Sequence, residues 1–424
     1  MDKIIVNGPC SLKGEVVIGG AKNAAVAILP ATLLVNGICH LENVPNISDI
    51  VNLTDILETL GSKIERINDH EIIIDNRNIH STVADPELTS RFRASYYLIG
   101  SLLSRFNSAQ ISLPGGCNLG ARPIDQHIKC FEALGATVTV KAGNIYANSE
   151  KLKGTHIFFD VVSVGATINA ILAATLAEGV TTIENPAKEP HVVDVANFLN
   201  AMGAKIKGAG TDTIKITGAT ELKGGANYSI IPDQIEAGTF MAAAAATCGD
   251  VLIKNIIPKH MDSITAKLIE AGVTVEVVNG DSLRVTMNER PKPITLKTMP
   301  YPGFPTDMQP QMGVFLTKSN GTSMIIESIW ESRFQYTDEL IKMGADISAK
   351  GNTAMFTGVD EMFGAPVKAH DLRAGAAMII AGLLATGKTE ITNIYHVLRG
   401  YENICEKFTN LGADVYLEKG TDND

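Results

Sequence analysis

One phrase returns six times along the chain: LETLGSKI, FEALGATV, LNAMGAKI, LIEAGVTV, LIKMGADI and FTNLGADV. Its glycines are Gly61, Gly135, Gly203, Gly272, Gly344 and Gly412, spaced 74, 68, 69, 72 and 68 residues apart. A near-constant period repeated this often confines the chain to a repeat architecture. Each copy reads as an amphipathic helix that ends at a left-handed glycine, followed by a strand.

A second series interleaves with the first. NAAVAILPATLLVNG, SYYLIGSLLSRFN, TINAILAATLAEG, GTFMAAAAATCG, QMGVFLTKSNG and AGAAMIIAGLLATG read as apolar helices, several of them apolar all round. A helix of that kind is buried. After the glycines come alternating patterns such as VTVEVVNGDSLRVTM, a hairpin around Asn-Gly, with TVTVKAGNIYAN and KIKGAGTDTIKIT alike. Six such units exceed one core, so two domains of three units are expected. The crossing falls near residue 229. The sixth hairpin is incomplete, and the N-terminal DKIIVNG is an unpaired strand of the matching type. The expected division is therefore 21–229, and 1–20 with 230–424. The fold class expected is α/β, with helices inside, sheets outside and three-fold internal pseudosymmetry in each domain.

Composition narrows the function. A net charge of −10 argues against sequence-independent nucleic-acid binding, which needs a basic face. A ring-like DNA clamp, also acidic and built of six units, is disfavoured because lysine, arginine and cysteine concentrate at loops leading into helices. The N-terminus shows no signal peptide, and the longest apolar stretches are too short to span a bilayer. Cys10, Cys39, Cys117, Cys130, Cys248 and Cys405 have no disulfide-like spacing, and the nine histidines form no metal-ligand pattern. Free thiols of this kind fit a cytosolic protein.

The repeats create two families of helix-leading loops. The first carries Lys22, Arg93, Asp307 and Arg373. The second carries Cys117, Arg122, Arg333 and Arg399. Helix starts favour anions, and arginine clamps carboxylate or phosphate bidentately. Cys117 lies on PGGCNLGARPID, a glycine-rich loop with Arg122 nearby and a helix following, and both neighbours favour thiolate. An inert packing thiol is the ordinary alternative. For Asp307 the ordinary alternative is a helix cap, for the arginines a surface salt bridge, and for Lys22 a solvated side chain. Together these residues predict an anion-binding cleft with a reactive thiol. Neither a Rossmann nor a P-loop fingerprint is present.

GGAKNAA, LPGGCNLGARPIDQHIKCFEALGA, GFPTDMQ, ESRF, DLRAGAA and IYHVLRGYE together resemble the UDP-N-acetylglucosamine enolpyruvyl transferase family, in the family's order and along the whole chain. The related enolpyruvylshikimate-phosphate synthases share the fold but lack this cysteine loop. The resemblance implies two inside-out α/β barrel-like domains, the enolpyruvyl transferase fold. It implies transfer of enolpyruvyl from phosphoenolpyruvate to the 3-hydroxyl of UDP-N-acetylglucosamine, the first committed step of peptidoglycan synthesis, in the cytoplasm and without metal or organic cofactor. Carried onto this chain, Cys117 is the general acid, adduct-forming thiol and fosfomycin target. Lys22, Arg122 and Arg399 clamp phosphoenolpyruvate, with Arg333 assisting. Asn23 lies beside sugar and phosphoenolpyruvate, and Asp307 deprotonates the sugar hydroxyl. Arg93, the segment Arg122, Pro123, Ile124, Asp125 and Gln126, then Ser163, Val164 and Gly165, and Ile329 are nucleotide-sugar contacts. Asp371 and Arg373 form the DLR element near the site. Val161, Ser48 and Gln234 depart from members that carry basic residues at or near those positions.

Overall fold

The computed structural model describes residues 2–90, 93–113 and 124–420. They form two compact units, one of residues 2–19 with 232–420, the other of residues 20–231.

In the unit of residues 20–231, three buried helices, Lys22–Thr32, Tyr97–Phe106 and Val164–Ala174, form the interior. Three sheets lie outside them. The first runs 222–229, 35–42, 71–75 and 63–68; the second 205–207, 213–217, 180–184 and 156–158; the third has strands 108–112, 144–148 and 137–141. The third sheet's fourth position is only a single parallel bridge, Val83 to Gln110. The other unit repeats the plan with helices Gln234–Ala246, Gln309–Leu316 and Leu372–Leu384 inside three four-stranded sheets. In one of these, the N-terminal strand Lys3–Gly8 lies between Gly387–Thr392 and Asp414–Glu418, antiparallel to both.

Local rules explain the elements. All six repeat glycines take positive φ, from 93° at Gly412 to 111° at Gly61, a conformation without cost only for glycine. Hairpin Thr137–Lys141 to Asn144–Asn148 turns through Ala142 and Gly143, both at positive φ, the geometry of a two-residue primed turn. The interior helices pack closely because small residues line them. A Cβ on Gly100 would stand 2.7 Å from Asn169 Oδ1 on the neighbouring helix. Instead the Gly100 amide donates to that oxygen at 3.0 Å. Ile168, Ile171 and Leu172 beside it are fully buried. Truncating any one to alanine should cost about 2–5 kcal/mol.

Candidate active site

In the unit of residues 2–19 and 232–420, each interior helix begins at an aspartate. Asp233 Oδ1 accepts from the amides of Ile235 at 2.7 Å and Glu236 at 3.0 Å. Asp371 Oδ1 accepts from those of Arg373 at 2.8 Å and Ala374 at 3.0 Å. Both are side-chain caps. Asp307 differs. The sequence makes it a natural cap, but it sits within the 3-10 turn Thr306–Met308, one residue before Met308, the cap position of the interior helix Gln309–Leu316. Its carboxylate meets two guanidiniums instead. Arg373 Nη2 and Nε both lie 3.2 Å from Oδ2, and Arg333 Nη2 lies 3.7 Å from Oδ1. Arg333 also reaches Asp371 Oδ1 at 3.6 Å and donates to the Thr306 carbonyl at 3.3 Å.

Arg333 and Arg373 are 2% and 3% exposed. The ordinary alternative, a surface salt bridge, fails for these two arginines. Buried charges persist only when paired and hydrogen-bonded. Burial opposes the charge on Arg373, but Tyr401, Asp307 and Asp233 outweigh it and hold the guanidinium firmly protonated. The Arg373 guanidinium also lies over the Tyr401 ring, 5.2 Å from its centroid. Tyr401 is fixed in turn by Thr239 Oγ1 at 2.8 Å and Gln311 Nε2 at 3.3 Å. Ile329 follows the buried Glu327, whose Oε1 accepts from the Ile329 amide at 2.8 Å. Arg399 ends the short helix Tyr395–Leu398. Burial first, and Arg399 second, push the neighbouring His396 imidazole below its usual range.

In the unit of residues 20–231, Lys22 opens the helix Lys22–Thr32, whose cap position, Ala21, offers no side-chain acceptor. Lys22 Nζ lies 2.9 Å from Asp49 Oδ2, and the two side chains are 12% and 5% exposed. The solvated-lysine alternative is therefore excluded. Asn23 follows, half-buried. Ser163 caps Val164–Ala174 by accepting from the Ala166 amide at 3.3 Å. Gly165 packs on His127: an added Cβ would stand 2.9 Å from the imidazole. That approach requires glycine, whatever Gly165 does for a ligand. Ile124 precedes the helix Asp125–Ala133. Gln126 Nε2 donates to Asp125 at 3.0 Å and to Asp160 at 3.2 Å, and the Asp160 amide donates back to Gln126 Oε1. Lys129 first, and Gln126 second, hold the exposed Asp160 carboxyl below its usual range. Val161 beside it is 60% exposed.

Cys117, Arg122 and Pro123 lie outside the described residues, and so does the side chain of Arg93. None of the candidate residues among those described lines the 510 Å³ cavity between Asn36, Arg105, Lys151 and Glu221. Among the described residues, one group could hold a metal ion: His40, Glu42 and Glu71 offer ligand atoms within 4.8 Å of one another. His40 Nε2 is already engaged by Glu71 Oε1 at 2.5 Å.

Residues 6–408 match the family described as EPSP synthase (3-phosphoshikimate 1-carboxyvinyltransferase). UDP-N-acetylglucosamine 1-carboxyvinyltransferase of Clostridium botulinum is 59% identical over 416 residues, covering 98% of this chain and 99% of that protein. The chain belongs to this carboxyvinyltransferase family. A second relative, UDP-N-acetylglucosamine 1-carboxyvinyltransferase 3 of Caldanaerobacter subterraneus, is 58% identical over 98% of this chain and 99% of its own length. Among solved structures, the enolpyruvyl transferase NikO from Streptomyces tendae superposes with a TM-score of 0.90 at 24% identity, covering 99% of each chain. EPSP synthase from Acinetobacter baumannii gives 0.75 at 19%, covering 99% and 100%. These two show the fold, and it is the enolpyruvyl transferase fold that the repeats and motifs predict.

Against this carboxyvinyltransferase background, three side chains beside the candidate residues went unread in the sequence. Asp49 pairs with Lys22 from 27 residues away, a distance no local pattern spans. Tyr401 stands in the quoted LRGYE motif, yet only its arginine drew notice. Glu327 precedes SIWESRF, and its burial is a tertiary property.

Proposed function

We propose that this chain transfers the enolpyruvyl group of phosphoenolpyruvate to the 3-hydroxyl of UDP-N-acetylglucosamine and releases phosphate, in peptidoglycan synthesis. The single observation that carries this reading is full-length identity of 59% to a protein named for that carboxyvinyl transfer. The Asp307–Arg333–Arg373–Asp371 network supports it chemically, because it presents a partly exposed carboxylate fixed beside buried cations.

The steps follow from the residue types. Cys117 gives its proton to the methylene carbon of phosphoenolpyruvate, leaving an oxocarbenium-like centre. The sugar 3-oxygen attacks the oxocarbenium carbon, C2, while Asp307 takes the hydroxyl proton. The resulting tetrahedral ketal expels phosphate, which takes up the proton held by Asp307, and returns a methyl proton to the Cys117 thiolate, which restores the double bond as the enolpyruvyl ether. Lys22, Arg122 and Arg399 hold the phosphate and carboxylate of phosphoenolpyruvate, and Arg333 assists. The start of Lys22–Thr32 adds amide donors that no side chain caps. Asn23, Arg93, Pro123, Ile124, Asp125, Gln126, Ser163, Val164, Gly165 and Ile329 hold the nucleotide sugar, while Asp371 and Arg373 set Asp307. The units of three repeats act as two domains, 21–229 and 1–20 with 230–424. The reaction uses no metal or organic cofactor and runs in the cytoplasm. No described helix is long and apolar enough to cross a membrane.

The test is phosphate release from phosphoenolpyruvate with each acceptor. Release with UDP-N-acetylglucosamine is expected. Release only with shikimate 3-phosphate overturns the choice of acceptor. For the thiol, Cys117→Ser should abolish turnover, and fosfomycin should label Cys117 alone. Cys117→Asp should keep turnover and escape the drug, since a carboxylic acid also donates a proton. Labelling at Cys130 contradicts the assignment: that thiol is fully buried, and burial holds its proton on.

A further inference from the structure

We propose that Glu327 is a positioning residue that sets the Asp307 segment and the Ile329 segment against each other. The inference rests on the roles given above to Asp307 and Ile329, and deepens them.

Glu327 stands just past the strand Thr322–Ile326 and is 2% exposed. Among the described residues, no cation lies within ion-pair distance of it. A buried carboxylate in that situation is costly unless donors surround it. Four do. Oε1 accepts from Thr298 Oγ1 at 2.8 Å, from the Ile329 amide at 2.8 Å and from the Trp330 amide at 3.2 Å. Oε2 accepts from Thr306 Oγ1 at 3.0 Å.

The two oxygens therefore serve different segments. Oε1 fixes the turn 328–330, and Thr298 reinforces it by accepting from the Ser328 amide at 2.9 Å. Oε2 holds Thr306, the residue before Asp307. Arg333 grips the same residue through its carbonyl at 3.3 Å while approaching the Asp307 carboxylate. Holding the local turn needs only the two amides on Oε1. The bonds to Thr298 and Thr306 reach 29 and 21 residues along the chain. They make one side chain the shared reference for the base and for the sugar-contacting turn. Glutamine is the conservative replacement: its oxygen can keep the three bonds of Oε1, and its amide nitrogen can donate to the Thr306 hydroxyl, which then accepts.

Geometry is worth rate at such a site, since a misplacement of about 1 Å can cost roughly 100-fold. The two arms can be cut separately. Thr306→Val removes the Oε2 arm and should lower kcat roughly tenfold, the scale of one hydrogen bond to a charged group, with KM for UDP-N-acetylglucosamine within about twofold. Thr298→Val loosens the Oε1 arm and should raise that KM roughly tenfold with little change in kcat. Thr306→Ser keeps the hydroxyl and should restore kcat. Glu327→Ala removes both arms and should show both effects, and if it does not fold, the threonine variants decide. Lower melting temperatures with kcat and KM unchanged overturn the proposal, and so does an identical change from both threonine variants. Asp307→Asn is measured alongside. If it leaves kcat unchanged, the base assignment has failed rather than the role of Glu327.

Discussion

The two units share one scaffold and treat the starts of their interior helices in opposite ways. In the unit of residues 232–420 the three starts carry Asp233, Asp307 and Asp371. In the unit of residues 20–231 the starts of Lys22–Thr32 and Val164–Ala174 carry a lysine and a serine, with no acid. An aspartate cap fills the amide donors of a helix start with the protein's own oxygen. A start led by lysine, whose Ala21 cap position offers no side-chain acceptor, adds a cation instead. The same repeat can thus be capped by the protein's own oxygen, as at Asp233, Asp371 and Ser163, or led by a cation, as at Lys22. Asp307 is the exception within its own unit: it sits one residue before the cap position of its helix, and two buried guanidiniums hold it.

The largest test strikes that exception. Asp307→Asn keeps the shape and should lower kcat by roughly 10²–10⁴, the range for a lost general base. An unchanged kcat would leave Asp307 no more than a partner for Arg333 and Arg373. Next comes the cationic start. Lys22→Gln should reduce kcat/KM for phosphoenolpyruvate roughly 100-fold, because it removes a charge from the ligand and the ammonium that faces Asp49. An effect on the nucleotide sugar instead would break the assignment of that start to the smaller anion.

A third test uses a buried acid that the 20–231 unit partners without a cation. Asp194 accepts from the Tyr228 hydroxyl at 2.5 Å and the Ile231 amide at 3.3 Å, and burial pushes its carboxyl up to about 6 despite both bonds. The folded protein holds this proton more tightly than the unfolded chain, whose carboxyl titrates near 3.8. Its contribution to stability is therefore full below pH 4 and is lost as pH rises through 6, about 3 kcal/mol in all. Asp194→Asn removes that titration. Its stability relative to the parent should climb between pH 4 and pH 7 in denaturant titrations. A flat difference would mean that Asp194 is ionised throughout. The smallest effect compares caps. Asp233→Ala, losing two amide bonds, should cost about 1–2 kcal/mol, and Ser163→Ala, losing one at 3.3 Å, less than about 1 kcal/mol. Equal losses in thermal melts would erase the distinction between the two kinds of start.

Much of this fold is written locally. The six repeat glycines end their helices because left-handed backbone is a one-residue property, and the alanine-rich helices are interior because no face of them is polar. The charged network is not written locally. The repeats pick out Arg333 and Arg373 as helix-leading residues, but nothing in ESRF or DLRAG says that the chain buries them. The Asp49 partner of Lys22, and the Thr298 and Thr306 partners of Glu327, become neighbours only after the sheets close. Motif resemblance supplied the candidate residues, but their partners had to come from coordinates.

The strand Lys3–Gly8 has its two neighbours, Gly387–Thr392 and Asp414–Glu418, at the far end of the chain. A strand made before the 20–231 segment therefore waits for partners made after it. The segment 20–231, by contrast, closes on itself where the Ala21 amide bonds the Ile231 carbonyl at 2.7 Å. That segment is a continuous insert whose own core can close during synthesis. The discontinuous remainder is committed only once residues 414–418 have been made, and chains truncated before residue 414 would carry a finished insert on an unfinished host.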